Sequence, residues 1–213
     1  MPTPTPVRHP IFARLCAHFI EREERAGQAE HRDRLLSGLT GRVIEIGAGT
    51  GVNFRHYPSS VTEVLAIEPE PYLRGVATDA AHRAPVPVIV ADAVADALPA
   101  PDESFDAAIV SLVLCSVSDA QRALAELRRV LRPGGELRFY EHVLARKATL
   151  ARAQRLAERS FWPHVGGGCH PARDTAHAIE QAGFDIECCE RFSFGPPMMV
   201  LVSPRILGLA RRA

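Results

Sequence analysis

The chain has no excess of charge of either sign: 25 Lys and Arg stand against 25 Asp and Glu in 213 residues. That balance removes the electrostatic case for nucleic acid or an anionic membrane as the main partner. No apolar run approaches the roughly 20 residues of a membrane-spanning helix, and the N-terminus lacks a signal-peptide core. Cysteine is scarce and odd in number, five residues at positions 16, 115, 169, 188 and 189 with no C-x-x-C pair. This argues against a disulfide framework and for reduced thiols in the cytoplasm. Tryptophan occurs once, as Trp162. Neither a repeat nor a long low-complexity linker is present. A hydrophobic share of 46% with 23% charged residues remains, ordinary for one α/β domain with an ample core.

The chain is organised around residues 42–51, Arg-Val-Ile-Glu-Ile-Gly-Ala-Gly-Thr-Gly. Val43, Ile44 and Ile46 make a short buried strand, as expected of a parallel strand covered on both faces. The turn after it has glycine at 47, 49 and 51. Glycine accepts positive φ and has no Cβ to hold a ligand away, and a helix starting just beyond would aim free N–H groups at an anion. A dinucleotide fingerprint needs glycines spaced G-x-G-x-x-G. Position 52 is Val, so a nicotinamide dehydrogenase is disfavoured. The spacing Glu45-x-Gly47-x-Gly49-x-Gly51 resembles the first motif of class I S-adenosylmethionine (SAM) methyltransferases.

Further strands follow, and acids end two of them. Val64 to Ile67 ends in Glu68, about twenty residues past the first glycine, where a carboxylate can accept from both ribose hydroxyls. Val86 to Val90 leads into Ala91-Asp92-Ala93, where Asp92 can accept from an adenine amino group. Phe105 to Leu114 gives a fourth strand and Glu136 to His142 a fifth. Alone, each acid suits a helix cap equally well.

Elsewhere, Ile11 to Leu39 is predicted helical, divided at Gly27, either as a cap on the sheet or as a lid using Phe12, His18 and Phe19. Asn53 to Tyr57 continues a helix after the glycine turn until Pro58 stops it. Glu70 to Ala81 is helical, and Ser118 or Asp119 caps a helix to Leu131. Ala145 to Phe161 is a solvated amphipathic helix, and Pro171 to Ala182 a helix closed by Gly183. Phe184 to Arg191 and Met198 to Val202 are two strands around a Gly-Pro-Pro turn, hence an antiparallel hairpin at the sheet edge. The fold class is α/β, Rossmann-like, with a seven-stranded, mostly parallel sheet in the order 3-2-1-4-5-7-6 and an antiparallel last strand.

A narrower resemblance rests on Glu45 to Phe54, on Ser111-Leu112-Val113-Leu114-Cys115-Ser116-Val117, and on Arg129 to Gly135 with Glu141-His142. With Trp162, Gly168-Cys169, Arg173 and Gly183-Phe184, these segments resemble the methyltransferase-like seven group, whose animal members include thiol S-methyltransferases. The resemblance covers roughly residues 41–190, and the chain is expected to divide into a cap at residues 1–40, a SAM-dependent methyltransferase domain at 41–203 and a tail at 204–213. It implies methyl transfer from SAM to a small-molecule acceptor, with a thiol named first and O-, N- or C-methylation of a natural product, quinone precursor or lipid head group second. A non-catalytic SAM-binding module is the alternative of another class. The membrane-anchoring N-terminal segment of the animal members is missing, so the expected location is the cytoplasm.

The expected cofactor set is Glu45, Gly47, Ala48, Gly49, Thr50, Gly51, Asn53, Glu68, Pro69, Asp92, Ala93, Ser111 and Leu112. On the acceptor side stand Phe12, Phe19, Cys115, His142, Trp162, His164, His170 and Arg173, with His142 as the catalytic candidate, because ligands sit beyond the carboxyl ends of parallel strands. Cys169-His170 with His164 has zinc-ligand chemistry, but its number and spacing match no common site, and no metal is expected.

Overall fold

The computed structural model of the chain describes residues 10–162 and 166–213. Its centre is β1 (Gly41–Ile46), where Val43, Ile44 and Ile46 are buried together with Glu45. Beside it lie β2 (Val61–Ile67) and β4 (Phe105–Ser111), both parallel to it. β3 (Val88–Ala91) extends the sheet beyond β2, and β5 (Leu131–His142) extends it beyond β4, again in parallel. β7 (Pro204–Arg212) runs antiparallel to both β5 and β6 (Phe184–Ser193). The sheet order is β3-β2-β1-β4-β5-β7-β6, as the sequence predicts.

Alternate residues of the central strands feed two cores. On one face Ile44, Ile46, Val110 and Phe139 pack with Leu124, Leu127 and Val130 of α4 (Ala120–Val130) and Ile179 of α6 (Thr175–Gln181). On the other, Val43, Val64, Ile109 and Tyr140 pack with Leu35 and Leu36 of α2 (Ala29–Leu36) and Ala77 of α3 (Pro71–Ala81). Each fully buried Leu or Ile contributes about 1.5–3 kcal/mol by leaving water. Caps set the helix starts. The Glu70 carboxylate accepts from Leu73 N at 2.8 Å, and Asp119 from Arg122 N at 3.0 Å. At the N-terminal side, α1 (Pro10–Glu23) passes to α2 through a wide turn, Glu24–Gln28, in which Gly27 takes φ 114°.

Three expectations are corrected. The helix after the glycine turn is a single 3-10 turn, Phe54–His56, because Tyr57 is already extended ahead of Pro58. No long helix therefore aims its N-terminus at a ligand there. The last strand is not Met198 to Val202; Pro197–Val202 is a 3-10 turn, and Met198 is 88% exposed. Residues assigned to a tail form β7 instead, with Ile206 and Ala210 fully buried between β5 and β6.

The helix α5 (Ala148–Glu158) is more than a solvated cover. Its Gln154 is wholly buried, accepting from Ala145 N at 2.8 Å. The same amide donates to the carbonyls of Val143, Pro171 and Leu201 at 2.9–3.1 Å. One side chain thus ties together three loops at the carboxyl end of the sheet.

Candidate active site

At the mouth of β1 the turn needs glycine for two different reasons. Gly47 has φ 65°, and a Cβ there would lie 2.4 Å from Val113 Cγ2. Gly49 has φ 59°, yet a Cβ would meet nothing within 4 Å. The first glycine is a packing necessity, while the second faces open space of the kind a ligand occupies. Ala48 N donates to Ile67 O at 3.0 Å, which ties the turn to the end of β2.

Buried carboxylates stand on either side of this turn. Glu45 accepts from Asn53 Nδ2 and Tyr57 Oη, each at 2.7 Å, and burial raises it to about 7 against those two hydrogen bonds. Glu68 accepts from Gly49 N at 2.7 Å and Glu70 N at 2.9 Å; burial raises it too, opposed by those amides. Asp92 is different: its side chain is 68% exposed and pairs with Arg74 Nη2 at 2.9 Å. Arg74 also donates to the carbonyls of Glu68 and Pro69, so it ties the ends of β2 and β3 together. Thr50 lies in the turn itself, and Ala93 follows Asp92 in the loop after β3.

Arg32 was not singled out in the sequence, where a basic residue on a charged helix looks solvated. It is 3% exposed. Its guanidinium donates to Glu24 Oε1 at 2.7 Å, Asn53 Oδ1 at 2.6 Å and Ser111 Oγ at 3.0 Å. Asn53 relays this contact to Glu45, so the N-terminal helices are hydrogen-bonded to the glycine turn and the end of β4. Glu24 is lowered to about 2: burial opposes this, but His56, Arg32 and Arg55 outweigh it. The signal missed was tertiary, since nothing local pairs residues 24, 32 and 53.

The ends of β4 and β5 form a second wall. Leu112 takes φ 59°, uncommon for a leucine, while its N–H donates to Tyr140 O at 2.7 Å. Glu141, fully buried, accepts from the amides of Val113, Leu114 and Cys115 at 2.9, 2.9 and 3.2 Å. Burial raises it to about 7, against those three bonds. It shapes the loop and is thereby occupied.

Next to it, His142 Nδ1 lies 3.6 Å from Cys115 Sγ and 3.7 Å from Cys169 Sγ. Among the described residues, His142 Nε2 and Trp162 Nε1 are buried without a partner. Cys169 is lowered chiefly by its hydrogen bond with Cys115 and then by His142, whereas Cys115 is raised by Cys169 and by burial. Trp162 packs on Cys115, Cys169 and Val202.

The structure therefore brings Cys115, His142, Cys169 and Trp162 together. His170 and Arg173 do supporting work. His170 Nδ1 is 2.8 Å from Glu158 Oε1, its N–H donates to Cys115 O at 2.7 Å, and Arg173 donates to the carbonyls of Leu114 and Val117. Phe19 is half exposed on α1 and its ring meets His18, whereas the neighbouring Ala17 and Ile20 line a cavity of about 330 Å³ with Thr50, Gly51 and Val52. That cavity flanks the glycine turn towards α3; none of its lining residues comes from the wall containing His142. His164 and the side chain of Phe12 lie outside the described residues.

A parallel sheet with one reversed strand next to last, a glycine turn after β1, an acid near the end of β1 and another just after β2 define a class I SAM-dependent methyltransferase. The profile of the methyltransferase domain family matches residues 44–139. Thiol S-methyltransferase TMT1B of Homo sapiens is 33% identical over 217 residues, covering 96% of this chain and 87% of that protein. A demethylmenaquinone methyltransferase of Renibacterium salmoninarum is 35% identical over 117 residues, 52% of this chain and 47% of that one. Among solved structures, a SAM-dependent methyltransferase from Thermotoga maritima superposes with a TM-score of 0.67 at 22% identity, covering 95% of this chain and 99% of that one. The chain belongs to the SAM-dependent methyltransferases, in the methyltransferase-like seven group with the thiol S-methyltransferases.

SAM is the methyl donor that this family implies. The residues present fit it: the space around Gly49 is open, and the buried Glu68, which accepts from Gly49 N, stands at its edge.

Proposed function

We propose that the enzyme methylates the sulfur of a small thiol. SAM, when bound, supplies an electrophilic methyl on a sulfonium. In this reading Glu45 and residues 47–51 hold its methionine end, Glu68 its ribose and Asp92 its adenine. Residues 111 and 112 close the floor between them, and the helices α1 and α2 cap the site, anchored through Arg32.

The observation that carries the thiol is the composition of the wall beyond β4 and β5. Glu141 is already occupied by three amides, and His170 by Glu158. Ionisation of the acceptor therefore falls to His142 and the two cysteines beside it. A thiol, with a reference pKa near ~8.5, needs modest help to ionise; an unactivated alcohol needs a strong, free base. The apolar surroundings of Trp162 and Val202 suit an anionic sulfur meeting a cationic sulfonium, since charge is lost as they react. Holding the two sulfurs in line supplies much of the rate, up to about 7–11 kcal/mol in favourable cases.

The reading places the enzyme in the cytoplasm, where thiols are kept reduced. No helix among the described residues is long and apolar enough to cross a membrane.

Methyl-labelled SAM offered with a panel of thiols, quinols and amines tests the reading. Label is expected in thioethers. Label found in a quinol ring instead would favour the second reading, C-methylation of a quinone precursor, which the demethylmenaquinone methyltransferase relative supports. His142→Ala is expected to lower kcat about 100-fold or more with SAM affinity kept. The loss should be smaller at pH 9, where a free thiol of pKa ~8.5 is mostly ionised.

A further inference from the structure

The sequence offers Cys169, His170 and His164 as metal-ligand types, but the structure assembles a different trio. Cys115 comes from the loop after β4, His142 from the end of β5 and Cys169 from the loop before α6. Their two sulfurs and one imidazole nitrogen all lie within 4.8 Å of one another. We propose that Cys115 Sγ, His142 Nδ1 and Cys169 Sγ bind a zinc ion, whose fourth position receives the sulfur of the acceptor thiol. The second half of this proposal rests on the thiol reading above; the metal site itself does not.

Geometry is the first argument. Tetrahedral zinc with bonds of about 2.3 Å to sulfur and 2.0–2.1 Å to nitrogen sets a sulfur and a nitrogen roughly 3.5–3.6 Å apart and two sulfurs roughly 3.8 Å apart. The two sulfur–nitrogen distances here are 3.6 and 3.7 Å. The imidazole nitrogen therefore already stands at ligand spacing from each sulfur, and the two sulfurs lie within 4.8 Å of each other.

Rigidity is the second. Cys115 is held by its amide on Glu141 and by its carbonyl, which accepts from His170 N at 2.7 Å. Cys169 N donates to Gly166 O at 3.1 Å, and Arg173 fastens the loop of Cys115 to the segment that carries Cys169. Both cysteines are buried, at 1% and 7% exposure. The third argument is cost: two thiols and an imidazole face one another against Trp162 and Val202, and the imidazole's Nε2 has no partner among the described residues. Buried polar groups are normally satisfied. Three protein ligands and one open position are the pattern of catalytic zinc, whereas structural sites close with four.

The chemistry follows from the ligand set. Two thiolates neutralise the dication, so a third sulfur bound there keeps its electron density and remains nucleophilic. The acceptor R–SH displaces water from the fourth position, and its proton passes to solvent. Its sulfur then forms the new bond to the methyl carbon while the methyl–sulfonium bond breaks. The products are R–S–CH3 and the donor's thioether; a neutral thioether is a poor zinc ligand and leaves.

The test reads the metal apart from activity. Full-length protein purified in reductant and dialysed against dilute zinc is expected to retain about one zinc per chain by mass spectrometry. Cys169→Ser and Cys115→Ser should lose it, while Cys188→Ser, on the exposed face of β6, should keep it. Because a core variant can misfold, wild-type protein loaded with cobalt(II) gives a second readout. Tetrahedral cobalt bands with sulfur-to-cobalt charge transfer are expected, and a small thiol should alter them without SAM. Zinc content near zero in wild type, or undiminished in Cys169→Ser, would overturn the site. Full thiol methylation by verified zinc-free enzyme would overturn the metal's role and leave the thiol reading standing. Cobalt bands indifferent to every thiol would overturn the role as well.

Discussion

Replacing Glu45 with Gln turns the acid beside the glycine turn into a measurable pH effect. The side chain is buried and held by Asn53 and Tyr57, and burial lifts it from an ordinary 4.5 to about 7. Gln mimics the protonated acid, accepting from Asn53 through its carbonyl and donating to the Tyr57 oxygen through its amide. The folded pKa lies above the unfolded one, so between about pH 4.5 and 7 the folded state binds the extra proton. Stability must therefore fall as pH rises through that window. Integrated from pH 5 to pH 8, wild type should lose about 2–3 kcal/mol relative to the Gln variant. Urea unfolding of both proteins at pH 5, 6.5 and 8 gives the difference directly, since other titrating groups cancel. Parallel pH profiles for the two proteins would refute the reasoning. With saturating SAM the difference should shrink, because an ammonium near Glu45 favours the ionised acid.

Three further outcomes are expected. Arg32→Met leaves Glu24 buried with its pairing weakened, so urea unfolding should show a loss of about 3 kcal/mol and limited proteolysis should cut the N-terminal helices faster. Gly47→Ala and Gly49→Ala should separate: the first drives a methyl into Val113 and lowers Tm strongly, while the second costs about 1 kcal/mol of backbone strain but removes SAM binding in calorimetry. Asp92→Ala breaks a pair whose carboxylate is mostly exposed, so stability should change by less than about 1 kcal/mol, while SAM affinity should fall by roughly 1–3 kcal/mol.

The sheet order and the glycine turn could be read from the sequence because both are local: aliphatic runs, glycine spacing and acids at strand ends recur at short range. The misplaced last strand shows where that stops. Met198 to Val202 is a continuous apolar run, and such a run does not distinguish a strand from another element by periodicity. The true strand lies in the segment assigned to a tail, where Arg205, Arg211 and Arg212 interrupt the apolar pattern. In the folded chain Arg205 is 3% exposed and donates to Tyr140 Oη, while Arg212 reaches Leu131 O and Glu103. The acceptor wall was readable residue by residue but not as a set. Cys115, His142 and Cys169 each sit in a separate segment, and only the crossover topology makes them neighbours. Arg32 and Gln154 had no sequence signal, and Glu141 entered only through the resemblance, since their partners are backbone groups or distant side chains.

The position of β7 also dictates an order of assembly. Synthesis delivers β6 before β7, yet among the described residues β6 has no neighbour in the sheet except β7. Until β7 is made, β6 has nothing to pair with and the outer edge of β5 stands open, an exposed edge of the kind that recruits other chains. Its insertion closes contacts as distant as Arg211 with Glu136, 75 residues apart, and pairings of such long range are slow to form. A chain stopped before Pro204 would keep the glycine turn, Glu68 and the residues around His142, and would still be expected to aggregate through β5.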